Sequence, residues 1–295
     1  MKTLIIENID LKKIGELVTV SKQFCDAPDI IALGEGDIPG SFGKAWQSDS
    51  AIPANLVSTV SNLIKQENYE VILMSVSTLG SGLAGPLSAA LAAPAVTEVT
   101  AIHPDMVVDR PLYGGKAIIK HKIESTPTIL TIRRKYFEPA QLDGTTASTA
   151  LEAVKDKVTL VAEKHEQTDG IPLEDANVIV SGGRGIGDPE NFNMLQEMAN
   201  QLNGAVGASR GAVDEGWASP TRQIGQTGKI VAPSVYFAVG ISGASQHLAG
   251  IANSKCVVAI NKDEDANIFN RARFGVVCDY KKIVPILTQA IMEGK

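Results

Sequence analysis

NVIVSGGRGIGDPENFNMLQEMANQLNGAVGASRG, residues 177–211, decides the fold. Asn177–Ser181 is a short apolar run closed by glycines, which at this length reads as a buried strand. Pro189–Leu202 carries apolar residues at helical spacing behind an Asp188-Pro189 start, and Ala205–Ala208 is a second short apolar run. Strand, glycine turn, helix and strand make the repeating unit of a parallel sheet, because a parallel neighbour is reached only through a long crossover.

The alternation continues to the carboxyl end, with Val235–Val239, Cys256–Ile260 and Gly275–Cys278 as further strands of a doubly wound α/β unit. Upstream, Thr3–Ile6, Asp29–Leu33, Val71–Val76, Lys116–Lys120 and Thr128–Ile132 read as strands, and the stretches near 12–25, 51–67 and 83–92 as helices. This too is a mostly parallel sheet with helices on it. Between Phe137 and Ala176 the pattern gives way to Thr-, Asp-, Glu-, Gly- and Pro-rich sequence, with Val158–Ala162 the one strand-like run. The boundary is therefore placed near residue 173, between an N-terminal α/β domain (1–173) and a C-terminal one (174–295). Two cores suit a chain of 295 residues, since one core rarely organises so many.

Composition removes several function classes. With 27 basic against 33 acidic residues and no long basic block, nucleic acid is a poor partner; Arg133–Lys135, the longest basic cluster, reads as a solvated strand end. Cys25, Cys256 and Cys278 are odd in number and widely spaced, which supports neither a disulfide framework nor a zinc site and fits free thiols in a reducing compartment. The opening MKTLIIENID has too short an apolar stretch for a signal peptide, and no segment reaches the length of a membrane span. The expectation is a cytoplasmic protein, or a matrix protein whose presequence has been removed. His103, His121 and His165 share no ligand spacing and read as exposed or incidental.

Four segments concentrate glycines and polar groups where ligands bind in open α/β sheets, at the carboxyl ends of strands: SGGRGIG (181–187), GASRG (207–211), GQTGK (225–229) and GISGASQH (240–247). The first lacks the spacing of the dinucleotide fingerprint. The third lacks the first glycine and the Ser/Thr of a P-loop, which rejects Walker-type hydrolysis. Together they supply backbone N–H groups free of Cβ obstruction, with Arg184, Ser209 and Ser242, the equipment for holding a pyrophosphate. Arg210, Gln226, Thr227, Gln246 and His247 add donors and positive charge suited to the rim of a flavin ring. Arg210 reads as a buried cation needing an anionic partner, His247 as either a capping residue or a cofactor contact, and Trp217, after a glycine, as core packing.

QIGQTGKIVAPSVYFAVGISGASQHLAGIANSKCVVAIN, residues 223–261, resembles the signature region of electron-transfer flavoprotein alpha subunits. SGGRG, VGASRGAVDEGW and FGVVCDYKKIVP extend the likeness through 178–287, and RPLYGGKA (110–117) and TILTIRRKYF (128–137) are similar to the same family. The resemblance implies an FAD extended across the second domain and an N-terminal domain of adenine-nucleotide-hydrolase-like fold that docks a partner. Arg184, Ser209, Ser242 and Asn261 would serve the phosphate and ribityl portions, with Asp279 at the adenosine end. Arg210, Gln226, Thr227 and His247 would face the isoalloxazine, and Gln223, Ile224, Gly225, Gly243, Ala244, Ser245 and Gln246 would also bind the cofactor. Arg210 and His247 would stabilise negative charge on the reduced ring, Thr227 would bond near N5, and Trp217 would lie near the flavin if it is not core packing. Ser245, where the family usually has a branched aliphatic side chain, and Phe237 depart from the pattern.

The implied function is that of an electron carrier, not an enzyme. It would take single electrons from flavin dehydrogenases of the acyl-CoA dehydrogenase type and pass them to a membrane-associated quinone oxidoreductase, working as a heterodimer with a beta subunit. The rivals are a stand-alone flavin or nicotinamide oxidoreductase with a substrate pocket in the first domain, and a nucleotide sensor without redox function.

Overall fold

The computed structural model describes residues 1–50, 52–115, 117–154, 158–159, 161–162 and 170–294. The chain divides into two compact units, Met1–Leu112 with Ala117–Lys164, and Tyr113–Lys116 with His165–Lys295.

Unit 1 is built on strands β1 (Thr3–Asn8), β2 (Asp29–Leu33), β3 (Ala45–Ser48), β4 (Val71–Ser75) and β5 (Ala95–Val99), then an antiparallel trio β6 (Ala101–His103), β7 (Val107–Leu112) and β8 (Ala117–Lys122), then β9 (Thr128–Ile132). The large sheet runs Thr149–Ala150, β3, β2, β1, β4, β9, β5, with every pairing parallel. The MKTLIIENID segment that opens the chain thus supplies a central strand, and five of its six strand residues are buried. Helices α1 (Leu11–Ser21), α2 (Pro53–Glu67) and α3 (Thr78–Leu91) bury apolar stripes against the sheet. One core gathers Leu4, Ile6, Leu56, Val60 and Leu83, and a second gathers Ile5, Ile14, Leu17, Val71 and Leu130. Alternate residues of β1 feeding opposite cores is what a strand buried on both faces requires.

Unit 2 contains β10 (Val178–Gly182), β11 (Ala205–Ala208), β12 (Val235–Val239), β13 (Cys256–Asn261) and β14 (Phe274–Val277) in the parallel order β11, β10, β12, β13, β14. Helices α4 (Phe192–Gln201), α5 (Arg210–Asp214), α6 (Ser245–Ile251) and α7 (Tyr280–Glu293) complete it. One core holds Ile179, Tyr236, Ala238 and Ile251, the other Val180, Leu195, Val239 and Val284. The unit is doubly wound. Because β10 has its sequence successor on one side and β12 on the other, the crevice between the carboxyl ends of β10 and β12 is the switch point where such sheets bind ligands.

Several expectations change. The strand expected at Lys116–Lys120 is Ala117–Lys122 and belongs to the antiparallel trio, while Lys116 lies outside the described residues. Val158, Thr159, Val161 and Ala162 are not strand, and Leu160 lies outside the described residues. The helix expected from 83 starts at Thr78, where Ser77 caps it by accepting from the Gly80 N–H. Arg133 is buried, at 8% exposure, so the Arg133–Lys135 run is no solvated strand end; the Lys135 N–H donates to Glu16. His103 pairs with Asp109 at 2.9 Å, and His165 lies outside the described residues.

Candidate functional site

The switch-point crevice of unit 2 opens into a cleft of about 610 Å³, within the range of small-molecule sites. Its walls come from the ends of β10 (Arg184, Gly185), β11 (Ser209, Arg210, Gly211, Asp214), β12 (Gly240, Ile241, Ser242, Ala244) and β13 (Asn261, Asp263), with Gln223–Thr227, Gln246 and His247. Of the residues expected from the sequence, only Gly243, Ser245 and Asp279 do not line it. Gly185, Gly211, Gly240 and Ile241 line it from the glycine-rich segments already named, and Asp214 and Asp263 line it without having been singled out.

Close backbone approach shapes the floor. The Gly183 N–H donates to the Val239 carbonyl at 2.9 Å and the Gly185 N–H to that of Gly240 at 3.0 Å, stitching the two strand ends together. A Cβ on Gly185 would lie 2.8 Å from both the Cα and the oxygen of Gly240, so only glycine permits the contact. The Arg184 stem crosses Gly211, where an added Cβ would meet its Cγ at 2.9 Å. Arg184 itself is exposed, with no ion pair among the described residues.

Arg210 differs from expectation. It begins α5 instead of standing buried in the sheet, its side chain is 70% exposed, and its Nε lies 3.4 Å from Asp214 one turn on. Such exposed pairs contribute only about 0.2–1 kcal/mol, so Asp214 holds the guanidinium lightly. The i,i+4 spacing was a signal for Asp214 in the sequence. Ser209 caps α5 by accepting from the Ala212 N–H at 3.4 Å and keeps its own hydroxyl proton to donate.

GQTGK does not follow a strand directly. The chain leaves α5, turns through Pro220–Arg222, and is drawn back to the sheet where the Ile224 N–H donates to the Ala208 carbonyl at 2.9 Å. From 223 to 229 the backbone N–H groups donate in turn to Pro220, Ala208, Lys229 and Gln246, and then to Gly225 and Gln223. Thr227 alone of this loop has no backbone acceptor among the described residues. Its hydroxyl accepts from Gln223 Nε2 at 3.0 Å, leaving its proton free. The loop presents one N–H and one O–H at residue 227, which lines the cleft.

His247 is also unlike its expectation. It is 6% exposed, its Nδ1 lies 3.0 Å from the Ile224 carbonyl and its Nε2 3.0 Å from the Tyr236 hydroxyl. Burial lowers its pKa to about 4, against the Ile224 bond. The ring is neutral near pH 7 and places no positive charge in the cleft. Since a carbonyl only accepts, Nδ1 carries the proton, and the phenol donates to the bare Nε2. Burial pushes the Tyr236 phenol up, which keeps that donor protonated.

The remaining expected residues are partly committed. Asn261 Nδ2 donates to the Ile241 carbonyl at 2.9 Å and its Oδ1 accepts from the Asp263 N–H at 3.1 Å, tying two loops together. Asp279 caps α7 by accepting from the Lys281 N–H at 3.0 Å and pairs with Lys262 at 3.0 Å; these contacts lower its pKa. Gly243 is buried with φ 84°, against Ile268. Ser245 opens α6, exposed. Trp217 and Phe237 are half-buried and pack on the Leu195 core, which gives Trp217 a packing role.

Unit 1 has its own switch point, between β1 and β4, and there the chain supplies a carboxylate. Glu7, fully buried, accepts from the Ser75 hydroxyl, the Ser75 N–H at 3.2 Å and the Asn8 N–H at 3.0 Å. No group of three or more metal-ligating side chains exists among the described residues, and none of their helices is long and apolar enough to cross a membrane.

Residues 172–252 match the family described as the electron transfer flavoprotein FAD-binding domain, and residues 46–159 the electron transfer flavoprotein domain. The probable electron transfer flavoprotein subunit alpha, mitochondrial, of Caenorhabditis elegans is 40% identical over 250 residues, which cover 82% of this chain and 75% of that protein. The electron transfer flavoprotein subunit alpha of Bacillus subtilis is 42% identical over 236 residues (77% and 72%). That of Paracoccus denitrificans is 43% identical over 223 residues (75% and 72%).

Proposed function

The chain belongs to the electron transfer flavoprotein alpha-subunit family, and we propose that its unit 2 cleft holds FAD for one-electron exchange between partner proteins. The observation that carries this reading is the donor set at the switch point: Arg184 and Arg210, the hydroxyls of Ser209 and Ser242, and the unspent N–H and O–H of Thr227, all on one cleft. Two exposed guanidiniums suit a pyrophosphate and an electron-rich ring. FAD, when bound, supplies an isoalloxazine that accepts and releases electrons singly.

In this reading Arg184, Ser209 and Ser242 hold the phosphate and ribityl portions, and Asn261 keeps the two loops around them in register. Asp279 marks the adenosine end. Arg210, Gln226, Gln246 and Thr227 face the ring, and Gln223, Ile224 and Gly225 form the backbone wall beneath it. Gly243, Ala244 and Ser245 shape the turn into α6, and His247 contributes a neutral ring edge. Residues 1–173 form the docking domain and 174–295 the FAD-binding domain.

The chain works as a carrier beside a beta subunit, taking electrons from flavin dehydrogenases of the acyl-CoA dehydrogenase type and delivering them to a quinone oxidoreductase, in the cytoplasm or the mitochondrial matrix. The test is co-purification of the chain with its neighbour, followed by absorption and mass measurement of the released cofactor. FAD in stoichiometric amount and dye reduction only with an added dehydrogenase are expected. A colourless heterodimer that takes up no FAD, or NADH oxidation by the chain alone, overturns the reading.

A further inference from the structure

We propose that Tyr236, a buried residue outside the cleft, is a positioning residue that acts through the His247 ring and the Ile224 carbonyl to fix the loop presenting Thr227. Tyr236 is fully buried in β12, and its ring centroid lies 6.1 Å from that of His247. Its hydroxyl and the Ile224 carbonyl grip the two nitrogens of His247, both at 3.0 Å. The Ile224 carbonyl, which only accepts, keeps the proton on Nδ1, and the phenol donates to the Nε2 left bare and so satisfies that tautomer. A rigid strand thus holds the ring of a helix residue in the orientation and tautomer the loop carbonyl requires.

The loop needs such a tie. Residues 226–228 are exposed, and the chain between the Ile224 and Lys229 contacts turns back on itself within a few residues. Its anchors to the rest of unit 2 are the Ile224 N–H on Ala208, the Gln226 N–H on Gln246, the Lys229 ammonium on Glu174 at 2.8 Å and the His247 bond to the Ile224 carbonyl. The Lys229 pair is partly exposed at the loop's far end, whereas the His247 bond is buried and, with the Ile224 N–H bond, restrains both the N–H and the C=O of residue 224. Losing the phenol leaves a buried nitrogen without a partner, a state the ring relieves by rotating or changing tautomer, and either change releases the carbonyl.

The inference rests on the FAD reading only where Thr227 meets the cofactor; the tautomer and loop measurements do not involve it. The experiment compares the full chain, as purified with its partner, carrying Tyr236→Phe, His247→Asn or His247→Gln. Nitrogen-15 NMR of the histidine rings reads the tautomer, and amide hydrogen exchange reads residues 224–229. In the unaltered protein His247 shows a single form with Nδ1 protonated. Tyr236→Phe is expected to replace it by a shifted or mixed signal and to speed exchange across 224–229 by roughly three- to tenfold, the weight of about one hydrogen bond. His247→Asn is expected to keep the loop protected, because its amide stands near the position of Nδ1. His247→Gln reaches toward the Nε2 position instead and loosens the loop. An unchanged tautomer signal or unchanged loop exchange in Tyr236→Phe overturns the proposal. Should Tyr236→Phe fail to fold, the histidine pair decides: equal loosening, or none, in both variants also overturns it.

Discussion

Gly185→Ala tests the floor of the cleft directly. Gly185 has an ordinary backbone conformation, so alanine brings no φ penalty there, only a methyl 2.8 Å from the Cα and oxygen of Gly240. Ordinary contact begins near 3.4 Å, so the strand ends must part by about 0.6 Å or more, at an overpacking cost of about 1–3 kcal/mol. The Gly185 N–H to Gly240 carbonyl bond, 3.0 Å long, is strained or broken, adding about 0.5–1.5 kcal/mol. The sum is about 1.5–4.5 kcal/mol, and at about 4 °C per kcal/mol for a unit of this size the melting temperature falls by about 6–18 °C. The control is Gly187→Ala, with φ 77° and no atom within 4 Å of the new methyl, which carries only a left-handed backbone cost of about 1–2 kcal/mol. Differential scanning calorimetry and flavin retained after gel filtration separate the two: Gly185→Ala loses cofactor as well as stability, Gly187→Ala stability alone. Unaltered melting and full flavin content in Gly185→Ala would refute the close-approach argument.

Arg210→Ala removes a charge-assisted bond worth roughly 1.5–3 kcal/mol, and at about 59 mV per 1.4 kcal/mol for one electron the first reduction potential of the heterodimer falls by roughly 60–130 mV. An unchanged potential in a dithionite titration leaves Arg210 as the surface partner of Asp214. Glu67 is bonded to Lys2 and Lys44, which lower its carboxyl from 4.5 to about 2. Its stabilisation is complete above about pH 4.5 and lost as pH falls through about 2, so Glu67→Gln flattens the acid-unfolding curve in that window. Circular dichroism read against pH checks it. Asp279→Ala removes the α7 cap and weakens flavin retention; full occupancy after gel filtration takes Asp279 out of the site.

Strands made of continuous apolar runs were legible in the sequence: Asp29–Leu33, Thr128–Ile132 and Val235–Val239 need no correction. Ala45–Ser48 was not, because AWQS has neither a run nor alternation and is a strand through its pairing with β2 and with Thr149–Ala150. The cleft was legible because its glycines and hydroxyls cluster in sequence beside strand ends. The state of Arg210 and His247 was not. An arginine after a strand is buried or exposed according to where the next helix begins, and a histidine is charged or neutral according to partners distant in sequence, here Ile224 and Tyr236. Tyr236 itself reads as one more core aromatic, and nothing nearby in the sequence marks its hydroxyl.

The strand order of unit 1 also bears on how the chain is made. As it leaves the ribosome, β1 gains β2 and then β4 as neighbours, so the sheet widens outward from its first strand. β5 is the exception, because its only sheet partner is β9, which is synthesised roughly 30 residues later. At about 5–20 residues per second, β5 waits roughly 2–6 seconds with its backbone unpaired. In that interval the β6–β8 trio, whose pairings join residues close in sequence, emerges directly behind it. The trio thus occupies the growing chain while the sheet's edge is still open, and β9 then inserts between β4 and β5 to complete the order.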